Sequence, residues 1–256
     1  MTARFVAALH DLAALSDERC SDPWEWPGHS GALLQVRDAL YRSLEEEFGA
    51  LTTHAPPASE AARMLAVGQR AWGELRGLLL GVADGDLDRT SAPGQWTVRQ
   101  VLEHVLLVER RYRTHVEYAL SRSDSEPVRL DLQLELADSE AEGGVRDWVA
   151  RLAAERGAGA WLAAATPDQL VRPTVWAGYM VDVRFRLLRF AGHIAEHTVQ
   201  VEKTLEALGW RSGEAHRIVR RISAARGAHE LSTEPTVLEG LDAAHAARAA
   251  ALTARA

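Results

Sequence analysis

Residues 184–209, RFRLLRFAGHIAEHTVQVEKTLEALG, decide the fold. Leu187, Ala191, Ile194, Thr198, Val201, Leu205 and Leu208 recur at steps of three and four, the spacing of one helix face. The helix starts near Val183, and Gly209 is well placed as the C′ residue that ends it. His193 and His197 stand beside the apolar stripe, four residues apart, so both rings project from one side of the helix. Two neutral imidazoles at that spacing can share a metal ion without distorting the backbone.

A second stretch, PGQWTVRQVLEH at residues 93–104, supplies a third ring. Pro93 and Gly94 make a turn, Thr97 is an N-cap, and Gln100 three residues on completes a capping-box pattern. Trp96 and Val101 fall at the two positions of a hydrophobic staple. The helix that starts here runs to about Leu120 and carries His104 among Val101, Val105 and Val108. Each histidine alone reads equally as a hydrogen-bonded core residue. Together, His104, His193 and His197 form a three-nitrogen set with one side open, the ligand count of a catalytic metal site rather than a closed structural one. Because His104 lies near its helix start, the site should sit near the Asp84–Trp96 connection. The string HIAEH also fits H-x-x-E-H, in which Glu196 would be a general base; otherwise Glu196 is a solvated or supporting carboxylate.

The remaining pattern is helical nearly throughout, with no strand pattern strong enough to assign. A helix spans about Thr2 to Asp17, and a Trp- and Pro-rich loop, CSDPWEWPGHSG, follows. Trp24 and Trp26 in that loop are expected to dock the N-terminal segment on the rest. Ser30 is placed to cap a helix running to about Phe48. Ser59 opens a long helix whose stripe is Met64, Val67, Ala71, Leu75, Leu78 and Val82. The polar connection from Ser121 to Gly143 is far longer than antiparallel neighbours need, which permits a crossover. Further helices cover about Val145–Ala164, Ser212–His229 and Thr236–Leu252, and the loop before Val183 holds Pro167, Pro173 and Trp176. The expected division is an N-terminal helical appendage (1–55), a metal-binding bundle (56–210) and a C-terminal helical extension (211–256) packed on it.

Composition narrows the function classes. With 256 residues the chain can bury a real core, and 47% hydrophobic with 25% charged residues is ordinary for a globular protein. A net charge of −7 without a basic run argues against nucleic acid as a partner. No apolar run reaches membrane-span length, so no membrane partner is expected. The single cysteine, Cys20, excludes an internal disulfide and reads as inert; the first residues lack a signal-peptide pattern, so the expected location is cytoplasmic.

The residues Pro93, Gly94, Trp96, Thr97 and His104, then His193, His197 and Gln200, resemble the DinB/YfiT-like metalloenzyme family, whose members carry P-G-x-W-[ST] before a histidine and then H-x-x-x-H-x-x-Q. Glu109 also matches a recurrent family position. The resemblance covers about Ser59 to Trp210. It implies an all-α fold: a four-helix bundle of DinB type with a crossed helix 2–3 connection, here with extra N- and C-terminal helices. It implies a divalent metal on His104, His193 and His197. Members are similar to mycothiol- or bacillithiol-dependent transferases and isomerases, and to the iron-binding part of ergothioneine-forming sulfoxide synthases. The last group carries H-x-x-x-H-x-E, and this chain departs from it with Val199 at the Glu position.

An open metal position offers two chemistries: a water made more acidic, or a thiol held as thiolate. The thiolate option matches the family, with a low-molecular-weight thiol as co-substrate of an S-transferase or isomerase acting on a small molecule. A non-catalytic metal-binding or stress-response bundle is the alternative. Zn, Ni, Fe and Mn all accept imidazole, so three histidines do not choose among them. By helical angle, Gln100 and Arg111 lie within about 40° of His104, and Arg186 and Arg189 equally near His193. These four, with Gln200 and Trp96, are the expected pocket residues, and Glu196 and Arg111 are the catalytic candidates. An inward arginine could hold a carboxylate; an outward one would run to solvent or pair with Glu103, Glu109 or Asp182. Trp176 and Tyr179 could roof the site. His115 is about 16 Å along the helix from His104, too far to share its metal. Apolar faces outside the bundle would favour a homodimer.

Overall fold

The computed structural model describes residues 2–25, 33–53 and 59–254. In chain order they form α1 (Ala3–Ala13), α2 (Asp17–Cys20), the paired strands β1 (Pro23–Glu25) and β2 (Leu33–Gln35), α3 (Val36–Thr53), α4 (Glu60–Leu79), α5 (Val98–Ser121) and the single-turn α6 (Asp138–Ala141). Then come α7 (Val145–Ala158), α8 (Pro167–Leu170), a hairpin of β3 (Pro173–Trp176) and β4 (Tyr179–Asp182), α9 (Val183–Ala207), α10 (Glu214–His229) and α11 (Pro235–Thr253). No helix among the described residues is long and apolar enough to cross a membrane.

Local chemistry sets the helix starts. Ser59 Oγ accepts from the Ala62 amide at 3.0 Å, and Asp182 Oδ1 from the Phe185 amide at 2.7 Å. At α5 the capping box is complete: Thr97 Oγ1 accepts from the Gln100 amide at 3.2 Å, and Gln100 Oε1 from the Thr97 amide at 2.9 Å. Gly209 follows α9 with φ 86°, the left-handed conformation that stops a helix.

α4, α9, α5 and α7 close a four-helix ring in that order, each packed on the next and α7 on α4. Paired residues give the directions. Arg99 donates to the carbonyls of Ala141 and Gly143 at 2.9 Å, beside the start of α7, while Arg113 Nε reaches Glu155 near its end at 2.7 Å. α5 and α7 therefore run parallel, and the chain between them must return the length of the bundle. Residues 122–137 do so, which is the crossed connection that the length of Ser121–Gly143 permits and the family resemblance implies. α4 and α9 also run parallel, with Glu60 and Arg184 paired at their starts at 2.6 Å. α9 and α5 are antiparallel: His104 meets His193, and further along α5 Tyr112 packs edge-on to Phe190.

The outer helices share the bundle's interior. One apolar cluster joins Phe5, Leu9 and Leu12 of α1 and Leu40 of α3 to Leu75, Val101, Trp148 and Ile194 of the bundle, and to Ile218 and Leu252 beyond it. Trp24 is buried in the same cluster. The expected positions of Trp26 and Ser30 lie outside the described residues.

Three expectations need correction. Within the expected Ser30–Phe48 helix, Leu33–Gln35 pair as a strand with Pro23–Glu25, and the helix starts at Val36 and runs to Thr53. On α4, Val67 is 55% exposed, and the buried face instead widens through Gly68, Gln69, Trp72, Gly73, Arg76 and Gly77. The cause is α10, which lies along a second side of α4. A Cβ on Gly73 would come within 2.3 Å of the Ser223 carbonyl oxygen, and one on Gly77 within 2.6 Å of Arg220 Cα. These glycines let the two backbones touch. The segment before α9 is also not a plain loop. It forms an antiparallel hairpin in which Trp176 pairs with Tyr179 across Ala177 and Gly178, at φ 47° and 86°. Positive φ at both central positions matches the strand twist in a two-residue turn.

Candidate metal centre

The antiparallel packing of α5 on α9 sets His104 opposite His193 and His197. His193 Nε2 lies 3.3 Å from His104 Nε2 and 3.0 Å from His197 Nε2, and all three donor atoms fall within 4.8 Å of one another. His193 and His197 are buried and His104 partly so. His197 Nδ1–H donates to Gln200 Oε1 at 2.7 Å, which fixes the ring orientation and leaves its Nε2 lone pair facing the other two rings. Burial, reinforced by the neighbouring rings and Arg189, pulls the His193 pKa down to about 3. Burial also lowers that of His104, with His197 and Arg111 adding to the effect. Both rings are held neutral, the form that ligates metals.

Two nitrogens bound tetrahedrally to one ion at 2.0–2.1 Å sit about 3.4 Å apart. The 3.0 and 3.3 Å separations match that spacing, so the residues fit a divalent transition metal. Aromatic rings brace the set: Trp96 lies 5.3 Å from His104 and Tyr112 5.6 Å from His193, centroid to centroid. His193 Nδ1 is buried and has no hydrogen-bond partner among the described residues.

A cavity of about 900 Å³ opens on the triad. Arg111, Arg186 and Arg189 line it, as the helical angles anticipate, and so does Glu196. Gln200 stands behind His197. Gln100 is not among the lining residues: it is exposed and its side chain is engaged in the α5 cap. Trp96 is also outside the lining, packed on the outer side of His104. Trp176 does line it; its Nε1–H donates to the Tyr112 hydroxyl at 3.2 Å, and Arg189 stacks over its ring at 5.2 Å. Tyr179 lies outside, 70% exposed. His115 lines the same cavity without joining the triad.

Sequence reading missed two parts of the wall. Val175, Ala177 and Gly178 come from the hairpin tip, and Arg129 to Gln133 from the crossover segment. An Ala-Gly pair is a weak hairpin signal beside Asn-Gly or Asp-Gly. The crossover carries alternating polar and apolar residues, LDLQLEL at 130–136, and a loop-length argument says nothing of what it passes. Glu109 is not in this cavity: it is buried against Arg156 on the far side of α5.

A family model, the DinB superfamily, matches residues 68–201, a span that contains all three histidines and Gln200. Among solved structures, the chain is similar to YfiT from Bacillus subtilis, described as a probable metal-dependent hydrolase with an unusual four-helix bundle topology. The two share 18% identity with a TM-score of 0.50, over 62% of this chain and 95% of that one, which is a likeness of fold. No curated protein sequence matches. With more than half of its length matched by the family model, the chain belongs to the DinB superfamily.

Proposed function

We propose that this protein is a divalent-metal-dependent enzyme acting on a small molecule, with His104, His193 and His197 as the metal ligands. The observation that carries the reading is the convergence of three imidazoles, at metal-compatible spacing, on a cavity large enough for a substrate. Its volume falls in the 300–1,000 Å³ range of small-molecule sites. Bound there, a metal would act as a Lewis acid that lowers the pKa of a water or a thiol.

We favour an S-transfer or isomerisation with a low-molecular-weight thiol as co-substrate. The single cysteine, Cys20, is buried in the core, and burial raises its pKa, so the chain has no thiol of its own to offer. The chain's residues would position and shield. Gln200 orients His197, and Tyr112 and Trp176 form an apolar wall that limits water. Arg189, held by Glu196 at 3.4 Å and by the Trp176 ring, shapes the mouth. Hydrolysis is the second reading, favoured by Glu196 lying on the cavity wall where it could take a proton from water.

The test is zinc-, nickel- or iron-loaded protein incubated with a panel of small thiols and activated electrophiles, followed by thiol consumption. Metal-dependent consumption that vanishes in His193→Ala supports the reading. Ester or amide cleavage without thiol, lost in Glu196→Gln, would move the assignment to hydrolysis. No metal-dependent turnover of either kind would leave a non-catalytic metal-binding bundle.

A further inference from the structure

The cavity at the triad carries more positive charge than its own walls neutralise. Four arginines line it, at 111, 129, 186 and 189, beside only two carboxylates, Asp131 and Glu196. Arg129 pairs with Asp131 at 3.3 Å and Arg189 with Glu196 at 3.4 Å. Arg111 and Arg186 are left without a carboxylate among the described residues. Arg186 is 3% exposed, and what it meets is the Val175 carbonyl and the face of the Tyr112 ring at 5.1 Å. Arg111 has no hydrogen-bond partner among the described residues, and the Nε of each arginine is buried and unbonded.

Three other buried arginines each meet a carboxylate: Arg76 meets Glu230 at 3.0 Å, Arg156 meets Glu109 at 2.6 Å, and Arg226 meets Glu47 at 2.8 Å and Asp242 at 2.6 Å. The buried Arg122 bonds instead to the carbonyls of Ser123 and Pro173 and does not line the cavity. A guanidinium cannot shed its charge. An unpaired buried one works against the fold unless an anion from outside completes it.

We propose that Arg111 and Arg186 form a subsite for an anionic end group of the substrate, a carboxylate or a phosphate, whose reacting end lies at the histidine triad. The assignment rests on the triad being the reaction centre. Arg111 follows His104 by seven residues, and Arg186 precedes His193 by seven on the antiparallel helix. Both therefore lie to one side of the triad, about 10 Å along the bundle axis. That backbone offset fits a substrate that reaches from the arginines to the triad. Two planar forks are suited to bidentate contacts with carboxylate or phosphate oxygens. His115, one turn beyond Arg111, completes the subsite as a neutral hydrogen-bonding group: burial first, then the charges of Arg186 and Arg111, pull its pKa down to about 4.

The test is thermal unfolding of the full chain, metal-free and zinc-loaded, with succinate, inorganic phosphate, neutral succinamide or sodium chloride at matched ionic strength. Succinate or phosphate raises the midpoint of the wild type in both metal states, and whichever acts more strongly identifies the end group; succinamide and chloride do not. Arg111→Leu removes that rise, weakening anion affinity at least tenfold, while leaving the anion-free midpoint equal or higher, because it deletes an unpaired charge. Arg186→Met removes the rise as well, and the partly buried Arg111 keeps the test open if Arg186→Met does not fold. An undiminished rise in Arg111→Leu, or no anion effect in the wild type, overturns the subsite. Stoichiometric zinc without an anion effect sinks the subsite alone. An anion effect without zinc uptake sinks the metal reading and leaves the anion site standing.

Discussion

Gln200 holds His197 by a single hydrogen bond, Nδ1–H to Oε1 at 2.7 Å, and so determines which ring nitrogen faces His104 and His193. The two residues share one face of α9, three apart, so the helix itself sets the contact. Partners of this kind typically contribute 10–100-fold to metal affinity. Gln200→Leu should therefore weaken metal binding by about that factor in a competition titration against a chelator. The thermal midpoint of the metal-free protein should barely move, because Gln200 is only partly buried. Gln200→Glu, which keeps the acceptor, should restore the affinity.

Glu109 and Arg156 make the opposite kind of contact, a buried ion pair at 2.6 Å that also ties in Gln69, to which Arg156 Nε donates. Burial pushes the Glu109 carboxyl up to about 7 against the pull of Arg156. The folded chain thus keeps this proton above the pH at which the unfolded chain releases it. The group's contribution is full below about pH 4.5 and is lost as pH rises through about 7. The two partners should also differ. Glu109→Leu strands a permanent cation and removes the titrating group, so its cost, about 3–5 kcal/mol, should be larger at pH 6 than at pH 8. Arg156→Met strands a carboxyl that can neutralise itself, so its cost should be smaller at pH 6 than at pH 8. Urea unfolding at both pH values checks this, and equal costs for the two variants at pH 6 would contradict it.

The terminal segments are fastened by another buried cluster. Glu47 of α3 accepts from Arg226 at 2.8 and 2.9 Å and from His229 at 2.8 Å, both on α10, and from His245 of α11 at 2.6 Å. Asp242 takes a further Arg226 bond at 2.6 Å. Burial pushes the Glu47 carboxyl up, but the bonds from His229, His245 and Arg226 more than reverse that and hold it well below the usual carboxylate range. With the folded value depressed, the stabilisation is present above about pH 4.5 and is lost as pH falls through the folded value. Glu47→Gln should cost about 3–5 kcal/mol near neutral pH and flatten the loss of stability below about pH 4.5. Unfolding curves from pH 3 to 7 give both quantities; an unchanged acid limb would show that Glu47 does not govern it.

The parts of this fold that were legible in sequence are those with local causes. The Thr97–Gln100 box, the Ser59 cap, the Gly209 stop and the histidine pair of α9 are each decided within a few residues. The length of the connection permitted a crossing, and the family resemblance supplied it. What was not legible depended on partners far away in the chain. Gly73 and Gly77 lie outside the apolar stripe, and nothing near them in sequence signals that α10 packs against them. Glu47 reads as one acid of a charged run, LEEEF, and its partners lie some 180 residues on. Gln100 stands at the right angle for the pocket, but the cap, being local, claims its side chain. Arg111 and Arg186 were placed by helical angle, yet angle alone does not say whether a carboxylate waits beside them.

The central claim is that His104, His193 and His197 hold a metal. Its most direct test is elemental mass spectrometry on tag-free protein, wild type beside His193→Ala, after incubation with Zn, Ni and Fe(II). The account predicts close to one transition-metal ion per chain in the wild type and background in the variant, with helical content unchanged. Background metal in the wild type, or equal content in both proteins, would contradict it.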